Sequence, residues 1–175
     1  MKKAFSLFAI ILGFVSLASA QTINIEKSVV HFKIGSMGFK TVKGTFDGMR
    51  GVVVFDPKNL AAARFDVCLD ASTVCTGIKK RDEHLRNEDF FEVDRYPHIC
   101  FQSAEIVKIN DGYKAVGDLV MHGVTRKVEI PFSYAGGTFQ GSLNLKRLDY
   151  KVGEDTGTFM VSDEVEITII CYLNL

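Results

Sequence analysis

Four histidines and four cysteines are the side chains of this 175-residue protein best suited to metal, redox or nucleophilic chemistry, and their spacing argues against all three. His31, His84, His98 and His122 are scattered, with no pair at metal-ligand spacing and no adjacent acidic cluster, so no zinc or iron site is expected. No two of Cys68, Cys75, Cys100 and Cys171 are separated by two residues, which excludes a zinc ribbon or a thioredoxin-type pair. Acyl hydrolysis would need a nucleophile beside a base and an oxyanion donor, and no Gly-x-Ser-x-Gly elbow is present. No catalytic residue is assigned, and neither an enzyme nor a resident cofactor is expected.

The elements that would position any site are strands. Val30, Phe32 and Ile34 share one parity, with His31 and Lys33 on the other, as in a half-buried strand. The alternation returns with Phe65, Val67 and Leu69, with Ile99 and Phe101, and with Val128, Ile130 and Phe132. It recurs with Phe139, Leu143 and Leu145, and last with Val165, Ile167, Ile169 and Cys171. Turn signals separate these runs: Asp56-Pro57-Lys58-Asn59, Asn110-Asp111-Gly112, Gly136-Gly137 and Gly153-Glu154-Asp155. Parity changes between Val42 and Phe55, which predicts a bulge or sharp bend at Gly48 to Gly51. Lys79 to Phe91, dense in charge, reads as a short helix docked through Leu85, Phe90 and Phe91. About eight or more such strands form an antiparallel all-β domain. They either close into a barrel, which has room for a ligand, or fold into a sandwich, which does not.

Lys2 and Lys3 precede an uncharged run from Ala4 to about Leu17 that ends in Ala18-Ser19-Ala20. That pattern predicts a signal peptide over 1–20, cleaved near Ala20, and a domain over 21–175 that is periplasmic or secreted. The run is shorter than the roughly 20 apolar residues a spanning helix needs, and no stable membrane insertion is expected. Removing Lys2 and Lys3 from 21 basic residues leaves 19 against 21 acidic ones, a net of −2 that argues against a nucleic-acid partner. Four thiols in an oxidising space allow three complete pairings. Cys68 and Cys100 both lie on the polar parity of their strands, and they form the expected disulfide if those strands are neighbours. Cys171 shares the apolar parity, as a small buried hydrophobe would. Cys75 lies in a loop and is free, paired or reactive.

The segment Thr76-Gly77-Ile78-Lys79-Lys80-Arg81-Asp82-Glu83-His84-Leu85, then Asp89-Phe90-Phe91 and Tyr96-Pro97-His98-Ile99-Cys100-Phe101, resembles the hallmark stretch of the YceI-like family. Gly117-Asp118-Leu119-Val120-Met121-His122-Gly123-Val124-Thr125 matches as well, supported by Ser28 to Ile34, Val42-x-Gly44-x-Phe46 and Arg147. Two departures are Cys75, where many members carry Asp, and Tyr150-Lys151, where a Phe-Gly pair is common.

The resemblance implies an extended, eight-stranded, lipocalin-like antiparallel barrel with one short helix. Its apolar tunnel would hold a long lipid, polyisoprenoid or fatty-acid-like, without catalysis. The tunnel wall would then be built from Val30, Phe32, Ile34, Phe39 and Phe46, with Val67, Leu69, Leu85, Phe90, Phe91 and Phe101. The later strands would add Leu119, Ile130, Phe132, Phe139, Leu143 and Ile167. Phe90 and Phe91 either both meet ligand or divide, one plugging the helix onto the sheet. Arg81, Asp82 and His84 either line the tunnel mouth beside a head group or pin the helix to the barrel. The expected partner is a small-molecule lipid, and a homodimer is the assembly considered. The competing reading is a stress-response or protein-interaction module whose barrel is filled by its own side chains.

Overall fold

The computed structural model describes residues 20–174, so the predicted signal segment up to Ser19 lies outside the described residues. One antiparallel sheet carries the fold. Its strands are β1 (Gln21–Thr22), β2 (Val29–Ser36), β3 (Lys40–Phe46), β4 (Arg50–Val54) and β5 (Arg64–Asp70). They continue with β6 (His98–Ile109), β7 (Gly112–Met121), β8 (Val124–Ala135), β9 (Thr138–Lys146) and β10 (Val161–Tyr172). The hydrogen-bonded order is β1-β4-β5-β6-β7-β8-β9-β10-β2-β3.

Ten strands stand where eight were expected, and the bend at Gly48 supplies most of the reason. β3 pairs with β2, and β4 pairs with β5, so the two halves of one bent strand belong to opposite ends of the ladder. The ring therefore closes through the chain itself at Asp47–Met49. Counted as one, the bent strand makes eight staves, and the two-residue β1 is an addition along β4. Glycine is required beside the bend. Gly51 has φ +141°, and a Cβ there would stand 2.0 Å from the Asp66 carbonyl oxygen across the β4–β5 ladder.

β6, β8 and β10 each run 12 residues, about 40 Å at the usual rise, so the barrel is long for its girth. In β6 the register with β7 shifts between Ser103 and Glu105. This bulge moves the inward face from odd positions (Ile99, Phe101) to even ones (Ile106, buried). Asn110-Asp111 turns the chain between Ile109 and Gly112, the hairpin tip that its turn residues indicate.

The charged insertion between β5 and β6 forms helix α1 (Lys79–Arg86), shorter than the Lys79–Phe91 reading. Asn87 leaves helical geometry at ψ 175°, and Phe90 and Phe91 follow on turns. The Phe91 ring meets the Phe46 ring edge-on at 5.3 Å, and Arg86 donates to the carbonyls of Ser72 and Val74. Cys68 and Cys100 are directly opposed on the outer face of β5 and β6 and are joined by a disulfide, with Cα atoms 4.1 Å apart. Cys75 is free and exposed, and Cys171 is free and buried. Among the described residues no helix is long and apolar enough to cross a membrane.

Candidate functional site

One end of the barrel is solid. Phe55 sits at the centre of an aromatic plug, with the rings of Phe65, Tyr113, Phe132, Tyr134 and Phe139 at 4.9–6.1 Å from its own. Most of these contacts are edge-on, the favourable arrangement for aromatic quadrupoles. Above the plug the side chains no longer meet across the barrel, and they enclose a cavity of about 550 Å³.

Of the apolar positions expected along a tunnel, all but one line this cavity: Val30, Phe32, Ile34, Phe46, Val67, Leu69, Leu85, Phe90, Phe91, Phe101, Leu119, Ile130, Phe132, Phe139, Leu143 and Ile167. Both Phe90 and Phe91 reach it. The exception is Phe39, which lies outside the wall and is 82 % exposed. Met37 and Gly38 take positive φ angles, 52° and 72°, to reverse the chain between β2 and β3. Strand parity does not carry through that turn, so Phe39 faces outward at its tip. The wall also contains Val53, Phe65, Ile99, Leu145, Val165 and Ile169 beyond the expected set, and sequence reasoning passed over Met37, Met49, Met121 and Met160 among its members. Methionine in a β pattern carries little periodic signal, yet its flexible thioether suits an irregular apolar surface.

Polar groups gather at the end opposite the plug. Arg81 and His84 from α1, Ser36, Thr156 and Arg147 are the main polar members of the wall. Arg81 Nε donates to Thr76 Oγ1 at 2.7 Å and its Nη2 to the Thr76 carbonyl at 3.0 Å, leaving the other guanidinium N–H groups without an assigned partner. His84 is exposed at the mouth, its Nε2 2.9 Å from Asp89 Oδ2 and its ring edge-on to Phe90. Asp82 stands apart from the cavity. Buried, it accepts hydrogen bonds from the Thr76 backbone N–H, at 2.8 Å, and from the Thr76 hydroxyl. The three residues thus divide: Asp82 pins the helix start, whereas Arg81 and His84 both support the helix and face the opening.

Arg147 is the residue whose role no spacing revealed. It is 4 % exposed, and its guanidinium donates to five backbone carbonyls, those of Val152, Gly153, Thr156, Val161 and Ser162. Five N–H groups match five acceptors, so this cation is fully bonded without a carboxylate in contact. Burial lowers its pKa, and the more distant Asp163 opposes that shift. Its function is to fold the segment between β9 and β10 down onto the barrel mouth. In the same segment Lys151 takes a left-handed conformation, φ 59°, which is the geometry a glycine adopts without strain. Tyr150 is 2 % exposed, and its hydroxyl has no partner.

The remaining histidines are dispersed. His31 lies on the outer face of β2, His98 approaches Arg50 at 3.3 Å, and His122 packs edge-on against Tyr96 with Nδ1 3.1 Å from the Tyr150 carbonyl. Among the described residues no three His, Cys, Asp or Glu side chains converge as metal ligands.

Two buried acids set an alkaline limit. Burial pushes the Cys171 thiol up to about 11 from 9.0, against a hydrogen bond from Ser28 that lowers it. Burial, then the Asp149 charge, pushes the Tyr150 phenol up to about 12 from 10.0, while Arg126 acts in the opposite sense. Both are folded in the neutral form, so the unfolded chain sheds each proton first. Their contribution is whole below about pH 9 and is lost as pH rises through the gap between unfolded and folded values. At roughly 1.4 kcal/mol per unit, the protein should be on the order of 2–3 kcal/mol less stable at about pH 10.5 than at about pH 8.5. Urea denaturation at the two pH values measures this. Cys171→Ala should remove most of the difference, and an unchanged slope in that variant would refute the assignment.

Comparison with known proteins agrees with this architecture. The YceI-like domain model matches residues 21–171. A UPF0312 protein of Yersinia pestis (strain Pestoides F) is 30 % identical over 154 residues, covering 82 % of this chain and 79 % of the relative. The crystal structure of Burkholderia cenocepacia BcnA superposes with a TM-score of 0.78 at 27 % identity, covering 85 % of this chain and 98 % of that one. A polyisoprenoid binding domain from Saccharophagus degradans, implicated in plant cell wall breakdown, shares the fold with a TM-score of 0.68 at 17 % identity, over 91 % and 99 % of the two chains. With a family match across nearly all the described residues and a barrel of the same build, this chain belongs to the YceI-like family.

Proposed function

We propose that this protein is an exported carrier that holds one long apolar lipid, of polyisoprenoid or fatty-acid type, inside the barrel and performs no chemistry on it. One observation carries the reading. Val67, Leu69, Leu143, Leu145, Val165, Ile167 and Ile169 point inward, yet each stays only partly buried, because it faces unfilled space instead of an opposing side chain. Phe55, at the centre of the plug and away from the cavity, is by contrast buried by the rings packed around it. A barrel filled by its own side chains, the competing reading, would bury all of them alike.

The volume suits such a guest. A water occupies about 30 Å³ of liquid, and a methylene is of similar size, so 550 Å³ corresponds to on the order of twenty heavy atoms. At roughly 0.8 kcal/mol per buried methylene, about fifteen carbons gain on the order of 12 kcal/mol before the several kcal/mol that association costs. The free N–H groups of Arg81, with His84 beside it, suit a polar head group at the mouth. The shared fold of the Saccharophagus degradans polyisoprenoid binding domain supports a prenyl chain as one candidate guest. The basic, then apolar, then small-residue pattern of residues 1–20 supports export to the periplasm or the exterior.

Mass spectrometry of an organic extract of the purified protein tests the proposal. Near-stoichiometric recovery of a long-chain lipid is the expected result. Recovery of none, together with no uptake of added farnesol, geranylgeraniol or oleate, would overturn it.

A further inference from the structure

Beside the cavity mouth the surface changes character. Gly35–Phe39 and Thr156–Ser162 contain no charged residue, although a quarter of the chain, 24 %, is charged. The two segments are locked together: the Met37 backbone N–H and the Ser36 hydroxyl both donate to the Met160 carbonyl, each at 3.1 Å. The Phe159 ring closes over Gly38, where a Cβ would stand only 3.3 Å from it. Phe39 and Phe159 are nonetheless 82 % and 73 % exposed, and Met37 and Met160 are nearly half-exposed. Met37 and Met160 also belong to the cavity wall, so the outer apolar patch runs without interruption into the interior.

We infer that these paired tips form a wedge that enters the outer layer of a phospholipid bilayer, so that the barrel mouth opens directly onto the lipid phase. The inference rests on the cavity being a lipid site. Three observations favour a bilayer over a protein partner. The four side chains together expose roughly 500 Å², from the 150–250 Å² a large side chain can bury, short of the about 800 Å² per partner that a stable protein interface needs. The patch projects on two turns and offers no groove for a helix or strand. Lys40, its Nζ 5.9 Å from the Phe39 ring centroid, stands where an ammonium on an apolar stem would reach lipid phosphate. Glu154 and Asp155 lie just before the second tip, so insertion should depend only weakly on anionic lipid and on salt. A continuous apolar path lets a guest pass between membrane and barrel without crossing water.

The chain contains no tryptophan, so Phe159→Trp places a single reporter in the wedge. Vesicles of phosphatidylethanolamine with a minority of phosphatidylglycerol should shift its emission to the blue, and brominated acyl chains should quench it. Phe39→Asp with Phe159→Asp should weaken flotation with the same vesicles by about tenfold or more. Both substitutions fall on exposed turn positions, and the melting temperature reports whether folding is kept. Absence of both the shift and the quenching, or equal flotation of the double variant, would overturn the inference. Uptake of a dansyl-labelled fatty acid in vesicle-free solution is measured in parallel, and the double variant should retain it. That readout judges the carrier reading alone: vesicle binding without uptake would sink the carrier and spare the wedge, and uptake without vesicle binding would do the reverse.

Discussion

Arg147→Met should cost this protein at least about 3–5 kcal/mol of stability, the largest loss expected from any single substitution considered, although the new side chain keeps an unbranched apolar stem. The guanidinium is the hub of five hydrogen bonds to backbone carbonyls, and a thioether donates to none of them. Removing one member of a buried charged network leaves its partners desolvated, and that penalty dominates the worth of any one bond. Arg147→Lys should recover only part of the loss, since an ammonium offers three donors and lacks the planar fork that meets carbonyls on several sides. Chemical denaturation gives the magnitude. Amide exchange locates it, with protection falling first in residues 152–162, whose carbonyls the side chain gathers. A loss under about 1 kcal/mol would mean that the segment holds its shape without the arginine. The site would feel the change as well, because Val152, Thr156, Met160 and Val161 of the same segment form part of the cavity wall.

Leu143→Trp combined with Ile167→Phe should abolish uptake of a long-chain probe while leaving the fold as stable as before. The two positions are cross-strand partners on the inner face of β9 and β10, and both are only partly buried. Larger side chains there grow into empty space instead of into neighbours, so the usual penalty for overpacking does not apply. Occupying room for about four methylenes forfeits roughly 3 kcal/mol of binding, on the order of 100-fold or more in affinity. Titration with a fluorescent fatty acid reads the loss. Val120→Trp, on the outer face of β7, adds comparable bulk outside the barrel and should leave the titration unchanged. Equal affinity in all three proteins would place the guest elsewhere.

Much of the fold was legible because a strand with one wet and one dry face writes a period of two into the chain. Phe65, Val67 and Leu69 announce their side of β5 directly, and the parity break near Gly48 announces the bend that joins β3 to β4. Legibility ended where geometry departs from period two. The bulge between Ser103 and Glu105 shifts Ile106 inward with no turn residue to mark it. Phe39 has the composition of a wall residue and the position of a turn residue, and the turn decides where it points. Arg147 stands out as an arginine in the sequence, yet its partners are backbone carbonyls, which have no letter.

Side-chain alternation, turn residues and the cysteine parities were enough to determine an antiparallel β domain with an apolar interior, since these depend on neighbours one or two residues apart. Whether that interior is solid or hollow depends on distances across the barrel. Those distances are set by how many staves close the ring and by how far the aromatic plug around Phe55 extends. Inward-facing residues of the same type are therefore packed at one end and facing open space at the other. Only the closed tertiary structure could assign each to its place.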